Sequence, residues 1–397
     1  MTTLANFREE VRDWLATNCP ESQRQPIIKE EQIWGGRRRT FPSPDAKLWF
    51  ERMRDKGWTA PDWPTEYGGG GLSEAEAKVL EQEMQALGCR PPLYDIGLWM
   101  FGPALLEFGS EQQKQEHIPK IVRGDIRWCQ GYSEPGAGSD LASLKTRAED
   151  RGDHFLVNGS KMWTTQADKA DWIFCLVRTD PDAPKQEGIS FLLIDMASEG
   201  VSTTPIELIS GESDFCQTFF QDVRVPKKNL VGELNNGWAA AKTLLKHERK
   251  LMSMMEAMVE KEDETLASLA KRYVGVDSMG QLRDSELRAR LTRHLMNSQA
   301  NEWTRYRLFE QYRQGVKDSG LPLIMKHITT TEIQRKDELM LAILGNRGLS
   351  WHDTEYSQKE QRLVKNWAFN KAQTIAGGTS EIQLNIIAKR ALDLPDR

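Results

Sequence analysis

The segment Trp128–Thr146, WCQGYSEPGAGSDLASLKT, is where the chain changes character. A strand-like run ends at Tyr132-Ser133, and the Pro-Gly-x-Gly turn after it gathers the hydroxyls of Ser133 and Ser139 and several backbone N–H groups into one loop. Such a loop is either a well-capped turn or a receptor for an anionic or carbonyl-rich ligand. It is not a Rossmann loop, because Leu141 stands where GAGSD would need its third glycine.

Working outward, short β-like runs follow at Phe155–Val157, Trp172–Arg178, Ile189–Asp195 and from Phe215 to Val225, punctuated by Gly, Asp, Pro and Asn. Upstream the spacing is helical, with Leu4, Phe7, Val11, Trp14 and Leu15 on one stripe and similar patterns at Ala75–Leu87 and Trp99–Phe108. From Gly237 onward it is helical again, in segments at Trp238–Arg272, Ser285–Gln314, Leu323–Leu344 and Ser380–Leu392. The expected fold is therefore α+β: a helical block over 1–125, a middle antiparallel β-barrel-like block over 126–235 and a helical bundle over 236–397. Alternating β and α units, the mark of a parallel dinucleotide-binding sheet, are absent.

Composition narrows the class. A chain of 397 residues can bury a large core, and 39% hydrophobic with 28% charged residues is a soluble balance. Lys and Arg number 53 against 58 Asp and Glu, so no basic field favours nucleic acid. No stretch approaches a membrane span, and the charged N-terminal segment lacks a signal peptide's apolar run. The cysteines, Cys19, Cys89, Cys129, Cys175 and Cys216, are widely spaced with no Cys-x-x-Cys pair, which fits reduced thiols in a cytoplasmic protein. The histidines stand singly, without a metal-ligand pattern, and no Gly-x-Ser-x-Gly elbow is present.

Further segments carry candidate chemistry. In NGSKMWTTQADKADW, Trp163 could stack on a planar ring while Thr164 or Thr165 bonds its edge, or it could be a core tryptophan. In TIAGGTSEIQ, Gly377-Gly378 lets the backbone approach a ligand, and Ser380 with Gln383 reads as a capping box. Glu248 has Leu244, Leu245, Leu251, Met252 and Met255 at helical spacing, so it faces the apolar side. A carboxylate there either pairs with a cation such as Arg249 or, with its pKa raised by desolvation, serves as a general base. The run Gly68–Gly71 reads as a structural turn, since no Gly-Lys-Ser/Thr follows, and Arg37–Arg39 as a solvated loop or a phosphate contact.

Taken together, GWTAPDWPTEYGGGG, FGSEQQKQEHIPKIVRGD, YSEPGAGSDLASLKT, VNGSKMWTT, GWAAAKTLLKHER, LGNRG and AGGTSEIQ resemble, in this order and over nearly the whole chain, the acyl-CoA dehydrogenase family of flavoproteins. The resemblance implies an N-terminal helical domain, a middle β domain and a C-terminal four-helix bundle. It implies FAD, with Gln130, Tyr132 and Ser133 touching the flavin and its ribityl chain, Ser139 the pyrophosphate, Trp163 and Thr165 the isoalloxazine, and Thr379 and Glu381 closing the site. Family members usually carry Gln at the position of Glu381.

The implied reaction removes the α-proton of an acyl-CoA thioester and passes the β-hydride to flavin N5, giving a trans-2-enoyl-CoA. Many members place the base directly before the Gly-Thr of the last motif, where this chain has Gly377; others place it on the earlier helix before an Arg, as in Glu248-Arg249. The resemblance thus implies Glu248 as base, with Ser139, Arg249, Met252 and Gly377 at the substrate, and room for a branched or ring-bearing acyl group beside Gly377. An Arg-x-x-Phe-Gly motif is missing after the Glu248 helix, as in the pimeloyl- and sterol-type subclass of paired large and small subunits. In LGNRG, Gly345, Asn346 and Gly348 are then candidates for a neighbouring subunit's adenine. The implied acceptor is an electron-transfer flavoprotein, and the implied assembly a homodimer, a homotetramer or a heterotetramer with a related subunit. The competing readings are a non-catalytic partner subunit and an acyl-CoA oxidase.

Overall fold

The computed structural model describes residues 4–244, 265–316, 320–352 and 355–395. The chain divides into two compact units, Met1–Ile206 with Ser213–Glu260, and Glu207–Glu212 with Lys261–Arg397.

In the first unit the leading helices are α1 (Leu4–Asn18), α2 (Pro44–Asp55), α3 (Glu74–Leu87), α4 (Gly102–Phe108) and α5 (Glu111–Val122). Helix α3 starts with a reciprocal capping box between Ser73 and Glu76 and stops at Gly88, whose φ of 73° only glycine adopts without strain. The α1 stripe buries Val11 and Leu15 against Trp49, Met53 and Leu80 from α2 and α3. Glu83, buried on α3, is paired by Arg8 at 2.5 Å and Arg12 at 2.9 Å from α1. The glycine run is a packed turn, as its sequence indicates. A Cβ on Gly69 would lie 2.4 Å from the Trp63 carbonyl oxygen.

The middle block is one sheet of eight strands: β1 (Trp128–Gly131), β2 (Arg147–Asp150), β3 (His154–Thr165), β4 (Trp172–Arg178), β5 (Ile189–Asp195), β6 (Val201–Ile206), β7 (Phe215–Pro226) and β8 (Leu230–Val231). Its order is β6-β7-β3-β2-β4-β5-β8, with β1 on β4. Pairing is mostly antiparallel, as expected, but β1 and β2 meet β4 in parallel. Both faces of β4 and β5 are covered. Phe174, Leu176, Phe191 and Leu193 join the helices in one core, and Ile173, Cys175, Val177, Leu192 and Ile194 meet Phe155, Val157, Val223 and Val225 of β3 and β7 in another. Burial on both sides is why these two strands read as unbroken apolar runs. The first core includes a parallel stack of Phe101, Phe174 and Phe191, at 5.1 and 6.0 Å between neighbouring rings, with Trp128 against Phe101 at 4.1 Å. Helix α6 leaves this block and is described over 237–244.

The second unit holds α7 (Leu266–Tyr273), α8 (Ser285–Arg313), α9 (Leu321–Leu344), α10 (Gln358–Asn370) and α11 (Ser380–Ile386). The segment read as continuous to Arg272 has a fresh helix start instead, where the Thr265 hydroxyl accepts from the Ser268 N–H. Leu266, Leu269 and Ala270 of α7 meet Leu287 and Leu291 of α8 and Leu339, Met340 and Ile343 of α9 in its core. Buried Glu360 accepts from Tyr273, Arg347 and Ser357, which fixes α10 on the turn after α9. That turn is the LGNRG motif; Arg347 is anchored while Asn346 is exposed. All five cysteines are free thiols. Among the described residues no helix is long and apolar enough to cross a membrane, and no cluster of three or more His, Cys, Asp or Glu could hold a metal.

Candidate active site

The Ser133 loop and the Trp163 segment are brought together by the sheet. Strand β3 pairs with β7 as Lys161 with Thr218 and then Thr164 with Cys216, so β3 carries one extra residue between them. That residue is absorbed by a bulge in which Trp163 sits at φ 62°. Left-handed backbone is costly for a bulky residue and marks a place where the surroundings dictate the conformation. Here it turns the indole outward, 51% exposed and edge-on to Phe215 at 6.2 Å. Beside it the Met162 N–H donates to the Ser133 carbonyl at 2.8 Å, pinning the loop to the bulge.

Gln130, Ser133 and Thr165 are half-buried, Tyr132 is buried and Ser139 is exposed. Thr164 is fully buried, and its hydroxyl has no hydrogen-bond partner among the described residues. A Cβ built on Gly136 or Gly138 meets nothing within 4 Å, so the loop's backbone is open to an approaching group. An exposed flat ring, hydroxyls and open backbone in one place suit a planar cofactor with an anionic tail, and these residues fit one.

Sequence reasoning missed what holds this arrangement. Lys161, wholly buried on β3, donates to Glu134 at 2.8 Å and to the Tyr132 carbonyl at 3.2 Å. Glu134 also accepts the N–H groups of Lys145 and Thr146, at 2.6 and 2.9 Å. Burial pushes the Glu134 pKa up, but the Lys161 charge and these hydrogen bonds outweigh it and hold the carboxyl below its ordinary value. A pair separated by 27 residues leaves no local signal.

In the second unit, the Gly377-Gly378 turn leads into α11. Its cap is Thr379, whose extended backbone lets the hydroxyl accept from the Ile382 N–H at 3.2 Å. The box expected of Ser380 and Gln383 does not form, because Ser380 already lies inside the helix. Its hydroxyl bonds Thr374, and Gln383 reaches back to the Gly377 carbonyl. Glu381 is exposed and held below its ordinary pKa by its own backbone N–H and the Thr379 hydroxyl, with the Lys326 charge adding to them. Gly377 has φ 64°, and a Cβ there would meet nothing within 4 Å among the described residues. Glu248, Arg249 and Met252 lie outside the described residues.

Sequence models of the acyl-CoA dehydrogenase N-terminal, middle and C-terminal domains match residues 2–125, 129–223 and 235–392. The chain belongs to the acyl-CoA dehydrogenase family. Its helical, β and helical domains are those of the family, and it is an oxidoreductase of that type. It is similar to acyl-CoA dehydrogenase IpdE1 of Mycobacterium tuberculosis, at 34% identity over 100% of this chain and 99% of the relative. It is also similar to FadE34 of the same organism, at 36% identity over 86% of this chain and 45% of that longer protein. Among solved structures, the Tcur3481-Tcur3483 steroid acyl-CoA dehydrogenase matches with a TM-score of 0.72 and 29% identity, covering 99% of this chain and 98% of that one. The ChsE4-ChsE5 complex from Mycobacterium tuberculosis matches with a TM-score of 0.71 and 27% identity, covering 100% and 99%. Acyl-CoA dehydrogenases are flavoproteins, which agrees with a planar cofactor at the Trp163 bulge.

Proposed function

We propose that the chain is an FAD-dependent dehydrogenase that introduces the α,β double bond of a trans-2-enoyl-CoA into a branched or ring-bearing acyl-CoA of the sterol-derived class. The observation that carries the reading is the Trp163 bulge, an exposed indole held in left-handed backbone and pinned beside Ser133. Likeness to a steroid acyl-CoA dehydrogenase over nearly the whole chain supports the substrate class. So does Gly377, where a base-bearing side chain is absent and a Cβ would meet none of the described residues within 4 Å.

FAD, when bound, supplies the hydride acceptor. Trp163 and Thr165 would hold its ring, and Gln130, Tyr132 and Ser133 would hold the flavin and its ribityl chain. Ser139 would meet the pyrophosphate; in the second unit Thr379 caps the start of α11. Glu381, on the same turn, feels the positive charge of Lys326. Glu248 would take the α-proton, with Arg249, Met252 and Gly377 as the proposed substrate contacts. Thioester α-protons are weakly acidic, so the base must be desolvated and the developing enolate must meet donors.

We further propose domain limits near 125 and 235, a cytoplasmic enzyme that hands electrons to an electron-transfer flavoprotein, and assembly with a related subunit. Two solved relatives whose names join two chains support the assembly.

The test is anaerobic bleaching of the purified flavoprotein, with any subunit that co-purifies, against straight, branched, dicarboxylyl and steroid side-chain CoA esters. Bleaching fastest with the steroid esters, and lost in Glu248→Gln, is the expected result. Normal bleaching in Glu248→Gln removes the base assignment. Rapid reoxidation by oxygen makes the protein an oxidase, and a chain that binds no FAD makes it a non-catalytic subunit.

A further inference from the structure

We propose that Lys161 and Glu134 are positioning residues that hold the Ser133–Ser139 loop and the Trp163 bulge in the arrangement a bound flavin requires. This role rests on the flavin reading above.

A strand lysine ordinarily runs its stem along apolar surface and leaves its ammonium in water. Lys161 instead has no exposed surface, and Glu134 is nearly as enclosed, with 8% of its side chain exposed. Replacing a buried ion pair by well-packed apolar side chains is commonly neutral or stabilising, so stability alone does not account for this one. The pair supplies direction. One carboxylate bonds the N–H groups of Lys145 and Thr146 at the far end of the loop, while Glu134 itself stands at the near end. The backbone groups of Glu134 and Ala137 also bond each other in both directions at 3.0 Å, which closes the turn between them. The ammonium then ties this closed loop to β3 by way of the Tyr132 carbonyl, one residue before Ser133.

The residue after Lys161 is Met162, whose N–H holds the Ser133 carbonyl, and the next is Trp163. A loop free to slide along β3 would move Ser133 and Ser139 relative to the indole. An apolar pair of the same volume would fill the space without fixing that register. Being buried, Lys161 acts through Ser133 and Trp163 and not by touching the flavin.

The chain, purified with any subunit it requires, is stripped of flavin and titrated with FAD. Affinity is read from flavin fluorescence, ring geometry from the visible circular dichroism of the bound flavin, and stability from the urea midpoint. The variants are Glu134→Gln, Lys161→Arg, Lys161→Met, and Lys161→Met combined with Glu134→Leu. Lys161→Met and Glu134→Gln are expected to weaken FAD binding at least tenfold and to alter the visible bands, with Lys161→Arg retaining more affinity than Lys161→Met. The double variant is expected to recover a urea midpoint near that of wild type while FAD binding stays weak and the bands stay altered. A double variant with wild-type midpoint, affinity within twofold and unchanged bands overturns the positioning role while leaving the flavin reading intact. A wild-type chain that takes up no FAD overturns both.

Discussion

The ammonium of Lys326 on α9 donates to the carbonyls of Gly378 at 2.8 Å and Gln373 at 3.0 Å, so one charge closes the turn that leads into α11. Its own pKa is lowered by burial, with Glu381 opposing the shift. Hydrogen bonds from a charged donor outweigh neutral ones, though partial exposure screens them. Lys326→Met should therefore destabilise the protein by about 1–2 kcal/mol. Urea unfolding checks this, and a variant as stable as wild type would show that the turn holds without the lysine.

Gly377 separates strain from space. Its surroundings are open, but φ 64° is a conformation that a side chain resists. Gly377→Ala should cost about 1–2 kcal/mol, and Gly377→Glu about the same, because the added Cβ has none of the described residues within 4 Å and the strain lies in the backbone. Thermal unfolding of the two variants side by side tests the claim; a much greater loss for Glu than for Ala would contradict it.

Gly69 is the opposite case. A Cβ there would run into the Trp63 backbone, which cannot swing aside as a side chain can. Gly69→Ala should cost about 3 kcal/mol or more, read as a lowered unfolding midpoint. Unchanged stability would contradict the packing account of the glycine run.

Glu360 gives the acid limb a sign. Burial works to raise its pKa, but hydrogen bonds from Ser357, Tyr273 and Arg347 outweigh it and hold the carboxyl at about 2. The folded-state pKa is depressed, so the group's stabilisation is present above its ordinary value of 4.5 and is lost as pH falls from there toward 2. Glu360→Gln should be less stable than wild type at neutral pH, with the difference shrinking below pH ~4. Denaturation midpoints at stepped pH check this, and a constant difference would rule the account out.

The parts of the fold legible in the sequence are those where one local rule decides. Trp172–Arg178 and Ile189–Asp195 were readable because burial on both faces leaves an apolar run. Arg147–Asp150 and Val201–Ile206 were not, because strands this exposed carry polar residues such as Glu149 and Thr203 that a loop would also carry. Helix α10 escaped notice because its buried positions, Glu360, Val364 and Ala368, include a charged one. At the candidate site, Ser133, Ser139 and Trp163 announce themselves by residue type, whereas the Glu134–Lys161 link exists only once the sheet has formed.

The aromatic stack has a consequence for how this protein can be cut and recombined. The N-terminal and middle family domains meet between residues 125 and 129, yet Phe101 on one side packs against Trp128 and Phe174 on the other. The unit of inheritance and the unit of folding have different borders. A chimera that exchanges the middle domain at residue 126 would pair foreign rings across that seam. One that carries the segment from Gly97 through Phe191 in a single piece keeps the stack with its native partners.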